Sequence, residues 1–192
     1  MGNRVKPKSP HKNHRVPVGP LSFGLVVVSD TRYREIQSGA ESSDETAGMV
    51  ESLVRNAGHK LVTVRFVPDE AEAILGSVNE LVEKGVQVIV TSGGTGLSPR
   101  DVTIETLAPL FDKSIPGFGE LFRFESYRDI GTAAMLTRAE AGTYRGTVVF
   151  CLPGSPNAVY TAFEKFILPE IEHIIGHMKK KEKHIKDSEM GE

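Results

Sequence analysis

The sequence predicts a doubly wound α/β fold, a single domain with a parallel sheet and helices on both faces, and three observations predict it. Short continuous apolar runs rich in valine and isoleucine recur along the chain, as strands buried on both faces require. Between them lie longer segments whose apolar residues fall at helical spacing. The runs end in serine, proline, glycine or aspartate, and alternation of this kind is the pattern of strand–helix–strand units.

Residues 23–28 form the first such run. Residues 44–57 read as a helix, with Asp44 as its N-cap, Met49, Val50, Leu53 and Val54 on one face, and Gly58 as its stop. A strand is predicted over residues 61–67. A helix follows over residues 69–84, carrying the stripe Ala71, Ile74, Leu75, Val78, Leu81 and Val82 and ending at Gly85. Residues 86–91 are the next strand. A short helix is expected over residues 103–111 and a longer one over residues 118–130, stopped by Gly131. Residues 139–146, with two glycines, read as a turn between shorter strands, and residues 147–152 as another buried strand. The last helix is expected over residues 157–178, bent at Pro169, with Ser155 as N-cap and Pro156 at its first position, where a missing N–H costs little.

Bulk properties narrow the function classes. The chain has 192 residues, 39% hydrophobic and 25% charged, ordinary values for a soluble globular protein. A net charge of −2 gives no whole-molecule case for nucleic-acid binding, and no apolar stretch approaches a membrane span. The single cysteine, Cys151, lies in the run Val148-Val149-Phe150-Cys151-Leu152, which reads as a buried thiol in a reducing, cytoplasmic compartment. Residues 1–20 hold five Lys/Arg, four prolines and no acid, the composition of an extended arm rather than a core. A myristoylation signal is excluded because Lys6 stands where Ser or Thr is needed. Residues 179–192 mix five lysines with four acids and read as a frayed charged tail, leaving residues 21–178 as the domain.

In a parallel sheet, ligands collect beyond the carboxyl ends of the strands. Four such ends carry chemistry: Ser29-Asp30-Thr31, Pro68-Asp69-Glu70, the decapeptide from Ser92 to Asp101, and Pro153-Gly154-Ser155-Pro156. The decapeptide, Ser-Gly-Gly-Thr-Gly-Leu-Ser-Pro-Arg-Asp, offers glycines that let backbone amides approach an anion, then a cation and a carboxylate. It lacks the lysine of a Walker A loop, and Pro99 occupies the third glycine position of a dinucleotide fingerprint. A tight turn needing glycine for geometry alone would not require Arg100-Asp101. Asp69 has two readings. It is either one of a carboxylate pair that, with Asp101, shares Mg²⁺ with a phosphate, or the start of a capping box with Glu72. Asp101 has a cap reading too, in competition with Thr103. His173 and His177, four apart on a helix, have no third ligand in view and read as surface residues.

From residue 23 to about residue 177 the chain resembles the MogA/MoaB-type molybdopterin adenylyltransferases, whose fold also forms the gephyrin and plant Cnx G domains. Six segments in order carry the resemblance: Val28-Ser29-Asp30-Thr31, Val67-Pro68-Asp69-Glu70, Thr91-Ser92-Gly93-Gly94-Thr95-Gly96, Ser98-Pro99-Arg100-Asp101-Val102-Thr103, Pro116-Gly117-Phe118-Gly119-Glu120, and Leu152-Pro153-Gly154-Ser155-Pro156-Asn157-Ala158-Val159. Residues 110–142 look closest to the MoaB branch.

The resemblance implies transfer of AMP from Mg·ATP to the terminal phosphate of molybdopterin, with release of pyrophosphate, in molybdenum or tungsten cofactor biosynthesis. The family's two functional aspartates match Asp69 and Asp101, implied here as the catalytic, Mg²⁺-anchoring pair. The amides of Gly93, Gly94, Thr95 and Gly96 are expected to cradle phosphate, with support from Ser98 and Arg100. Pro153, Gly154 and Ser155 are expected at the pterin or shared phosphate, and Ser29 on the same binding rim. Ser155 departs from the Asn that several relatives carry, though both can donate a hydrogen bond. The resemblance also implies a homotrimer or homohexamer and a downstream molybdate or tungstate insertase as consumer of the product. The competing reading is a catalytically silent molybdopterin-binding or scaffold protein on the same fold, as the gephyrin relation illustrates.

Overall fold

The computed structural model describes residues 19–39 and 44–189, with side chains as far as residue 179. Six strands form one sheet in the order β2-β1-β3-β6-β5-β4. They are β1 (Ser22–Val28), β2 (Lys60–Val67), β3 (Val88–Ser92), β4 (Lys113–Ser114), β5 (Glu140–Tyr144) and β6 (Thr147–Leu152). The first four in spatial order run parallel, whereas β5 and β4 extend the sheet antiparallel beyond β6. The expected parallel sheet therefore carries an antiparallel edge, a common arrangement in large α/β sheets.

Strand burial follows the apolar runs. Every residue of β3 and β6 is buried, as is all of β1 after Ser22, whereas edge strand β2 buries only Val67. On one face, Val26, Val28, Ile89, Val149 and Cys151 pack with Ile74, Val78 and Leu81 of α3 (Ala71–Glu83) and Leu107 of α4 (Thr103–Leu107). On the other, Phe23 lies 6.2 Å between ring centroids from Phe163, and Phe150 meets Phe118 edge-on at 5.0 Å. Burial pushes the Cys151 thiol up to about 12, in keeping with an inert core residue.

The remaining helices are α1 (Asp30–Gln37), α2 (Glu45–Asn56), α5 (Pro116–Ile130), α6 (Pro156–Ala162) and α7 (Leu168–Glu189). Several predicted signals fall where expected. The Asp44 carboxylate accepts from Thr46 N–H at 2.7 Å, Gly131 takes a left-handed φ of 63° at the end of α5, and Ser155 Oγ accepts from Ala158 N–H at 3.3 Å.

Other elements differ. Helix α1 was not foreseen because it buries no residue and so writes no apolar stripe. Five of the residues expected as a turn over 139–146 form β5, and only Arg145-Gly146, both at positive φ, turn into β6 as a two-residue hairpin loop. A π-helical segment, Phe163–Ile167, interrupts the expected last helix just before Pro169 and divides it into α6 and α7. The C-terminal helix runs on to Glu189, past the boundary at which the charge pattern predicts fraying. Pro20–Pro169 form one compact unit, and the chain from Glu170 belongs to a second. The basic arm lies outside the described residues, except at Gly19 and Pro20.

Candidate active site

Four parallel strands deliver their last residues to one rim. Val28 of β1 is level with Val67 of β2, Val27 is level with Ser92 of β3, and Ser92 is level with Leu152 of β6. Chain order reverses at β1, which has β2 on one side and β3 on the other, and a crevice at such a switch point is where doubly wound folds bind ligands. A cavity of about 470 Å³ lies there, with Ser29, Arg32, Thr46, Ser92 and Gly154 among its lining residues.

The glycine loop is held against three strands at once. Gly93 has φ 110° and donates its N–H to Leu152 O at 3.0 Å, and a Cβ there would stand 2.1 Å from Val28 O. Only glycine fits this junction. Its amide is thereby taken up by the protein, so Gly93 serves the cradle by close packing and not as an anion donor. Thr103 fastens the loop from below: its hydroxyl donates to Gly93 O and its N–H to Gly94 O, both at 2.9 Å. Arg138 Nη1 donates to Gly96 O at 3.0 Å. With these carbonyls engaged, the amides of Gly94, Thr95 and Gly96 have no acceptor among the described residues, the arrangement of an anion-binding nest.

The carboxylates stand around this nest. A Cβ on Gly94 would be 3.2 Å from Asp69 Oδ1, and one on Gly96 would be 2.9 Å from Asp101 Oδ2. Neither aspartate caps a helix. The N-cap of α3 is Glu70, without a side-chain bond, and Asp69 Oδ2 instead accepts from Asp30 N–H at 3.0 Å. The N-cap of α4 is Val102, whereas Asp101 Oδ2 accepts from Ser98 N–H at 2.9 Å within its own turn. The capping reading is thus corrected for both, and for Thr103 as well. Ser98 also accepts at Oγ from Arg100 N–H at 3.3 Å, and Ser29 Oγ accepts from Arg32 N–H at 3.4 Å as the cap of α1. Gly154 packs on the glycine loop, an added Cβ falling 3.2 Å from Gly93 Cα, which brings Pro153-Gly154-Ser155 beside the nest.

Burial holds the Asp69 carboxyl above the usual aspartate range, and the neighbouring Asp30 and Asp101 charges push the same way. Asp30 shifts oppositely, held down first by the hydrogen bond from the Asp69 backbone and then by Arg100, whose guanidinium pairs with its Oδ2. A crowded carboxylate set with only hard oxygen donors suits Mg²⁺, which takes one or two protein carboxylates and fills its remaining positions with phosphate and water. Asp69 Oδ1 and Asp101 Oδ1 accept from no described donor, so the residues present fit such an ion.

Sequence reasoning placed Asp30 on the rim without giving it a role. Its signal was its position straight after a buried strand, opposite Asp69 after another. Arg138 was missed altogether, since it lies outside every motif and reaches Gly96 across 42 residues. His173 and His177 face each other through Nε2 atoms 2.9 Å apart, and His173 Nδ1 meets Glu170 at 3.2 Å. Among the described residues no group of three or more metal-ligating side chains assembles. Nor is any described helix long and apolar enough to cross a membrane.

Comparison with known proteins agrees with the geometry. Residues 24–173 match the family model described as a probable molybdopterin binding domain. A relative from Bacillus cereus, molybdenum cofactor biosynthesis protein B, is 46% identical over 152 residues, covering 78% of this chain and 86% of its own. Its Bacillus subtilis namesake is 40% identical over 158 residues, with 81% and 89% coverage. Among solved structures, the tungsten cofactor synthesizing protein MoaB from Pyrococcus furiosus superposes with a TM-score of 0.75 at 39% identity, over 84% of this chain and 99% of that one. A MogA structure superposes with a TM-score of 0.72 at 27% identity, over 82% and 99%. On these matches the chain belongs to the MoaB/MogA family of molybdenum and tungsten cofactor biosynthesis proteins.

Proposed function

We propose that this protein transfers AMP from ATP to the terminal phosphate of molybdopterin. One observation carries the reading most strongly: three consecutive unengaged amides lie between two carboxylates at the switch point of the sheet. An oxygen of the pterin's phosphate attacks the α-phosphorus of ATP. A new P–O–P bond forms, the bond from the α-phosphorus to the bridging oxygen breaks, and pyrophosphate leaves with that electron pair.

Both reactants are anions, so the protein's task is alignment and charge neutralisation. The amides of Gly94, Thr95 and Gly96 hold phosphate oxygens, and Arg100 adds a fork able to grip two of them. Asp69 and Asp101 would hold Mg²⁺, which supplies positive charge to the phosphate oxygens when bound. Ser29 and Gly154 line the cavity at the rim, Pro153 and Ser155 flank Gly154 in sequence, and the four orient the pterin or the shared phosphate. Asp69 and Asp101 are both present with free oxygens, which favours an active enzyme over a silent binding protein.

The test is transfer of α-labelled AMP from ATP to molybdopterin, with and without Mg²⁺. The proposal expects labelled adenylyl-molybdopterin and pyrophosphate in equal amounts, and only with the cation. Tight molybdopterin binding without transfer would support the silent reading instead.

A further inference from the structure

We propose that Asp30 is a positioning residue with two separable tasks at this rim: Oδ1 fixes Asp69, and Oδ2 holds Arg100 aside until a phosphate takes the guanidinium. The identity of the arriving anion rests on the adenylyl-transfer reading above. The first task follows from a reciprocal pair of hydrogen bonds. Asp69 N–H donates to Asp30 Oδ1 at 3.1 Å, and Asp30 N–H donates to Asp69 Oδ2 at 3.0 Å. Beside them Ser29 N–H donates to Val67 O at 2.9 Å, so the coupling of β1 and β2 continues past the last ladder residues into the site. One oxygen of Asp69 is committed to this lock, and the other is left facing the glycine loop.

The second task follows from the strength of the Arg100 pair. The Arg100 side chain is 58% exposed, and ion pairs so exposed are weak and easily exchanged. A phosphate accepts the guanidinium fork through two oxygens, a stronger contact than the single amino group now on Asp30 Oδ2. Without Asp30 the free guanidinium would stand beside Asp69 and Asp101 and neutralise the oxygens that a cation needs. Asp30 Oδ2 gives it a resting place on a partner other than those oxygens.

Because the tasks use different oxygens, substitutions divide them. Asp30→Asn keeps an oxygen for Asp69 N–H and loses the charge facing Arg100, whereas Asp30→Ala loses both. Affinity for inorganic tripolyphosphate, measured by calorimetry without divalent cation, should rise about three- to tenfold in Asp30→Asn, since the competitor for the guanidinium is gone. In an Arg100→Ala background the same change should move it by less than about twofold, as double-mutant cycles require of a direct coupling. No gain, or an equal gain in both backgrounds, would overturn the resting-place task.

Hydrogen exchange at the Asp69 amide should accelerate at least about tenfold in Asp30→Ala and less than about threefold in Asp30→Asn, because local opening governs exchange. Should Asp30→Ala unfold, Asp30→Glu displaces the same oxygen while keeping the charge and should speed exchange likewise. Unchanged exchange would overturn the lock. In the AMP-transfer assay kcat should fall further in Asp30→Ala than in Asp30→Asn. A wild-type protein without transfer would sink the adenylyl reading alone, leaving the binding and exchange results to judge Asp30.

Discussion

Asp69 pulls stability and activity in different directions. Folding partly buries the Asp69 carboxyl among like charges and raises its pKa, so its charged form is a cost to the fold. A group raised in this way contributes stability at acid pH that is lost as pH rises through its folded value. Asp69→Asn should therefore raise Tm at pH 7, where the wild-type carboxyl bears the cost of its charge. The gain should vanish as pH falls below the raised Asp69 value, where the wild-type carboxyl is neutral too. A Tm that falls at pH 7 would show the aspartate to be structural. Asp30, whose pKa is lowered, has the opposite sign and loses its contribution as pH falls.

How much of the site could be read in advance also divides by residue. Glycines, Arg100 and both aspartates were legible because a loop after a buried strand with that chemistry has few other uses. What those groups bond to was not legible. Asp69-x-x-Glu72 has the spacing of a capping box, yet the carboxylate turns across to Asp30, a partner 39 residues away that no local pattern records. Likewise the Gly93 amide goes to Leu152, on a strand that sequence order does not place beside β3.

At the level of elements, the junction of β1, β3 and β6 is the most constrained part of the fold. Gly93→Ala would drive a Cβ to 2.1 Å from Val28 O at a φ of 110°. It should destabilise by about 3 kcal/mol or more, the scale of forced strain at a special backbone position. Gly48→Ala is the control: Gly48 lies within α2 with nothing within 4 Å of an added Cβ, so it should stabilise by about 0.5–1 kcal/mol. Denaturant midpoints compare the pair directly. Equal effects at both positions would contradict the close approach described at Gly93.

The elements that sequence missed share one property: they write little hydrophobicity. Helix α1 buries nothing, and β5 reads Glu-Ala-Gly-Thr-Tyr because its neighbours leave no room. A Cβ on Gly142 would meet the Phe111 ring at 2.3 Å. Long buried strands and striped helices were legible because burial dictates their composition.

Across the whole molecule, apolar surface argues for self-association. Leu121, Phe124, Tyr127 and Ile130 of α5, with Met135 and Leu136 just beyond, are each more than half exposed, and Met135 reaches 81%. Family resemblance and these residues together lead us to expect a homotrimer or homohexamer in solution. Sedimentation at micromolar concentration should show it, and a monomer alone would contradict it. The basic arm, by contrast, holds no site motif. Its deletion should leave AMP transfer within about twofold, a barrier change under about 0.5 kcal/mol. A hundredfold loss would show that it closes over the site.

The central claim is that two carboxylates flanking a nest of backbone amides carry out adenylyl transfer, and Asp101→Asn tests it most directly. The substitution keeps an oxygen for Ser98 N–H, so the turn and the fold should survive with a Tm close to that of the wild type. It removes the charge that balances a cation beside the phosphates. Labelled AMP transfer to molybdopterin in saturating Mg²⁺ should fall by about 10²–10³, the scale of losing one charge-stabilising group. Transfer by a folded Asp101→Asn protein at near wild-type rate and with unchanged Mg²⁺ dependence would contradict the account.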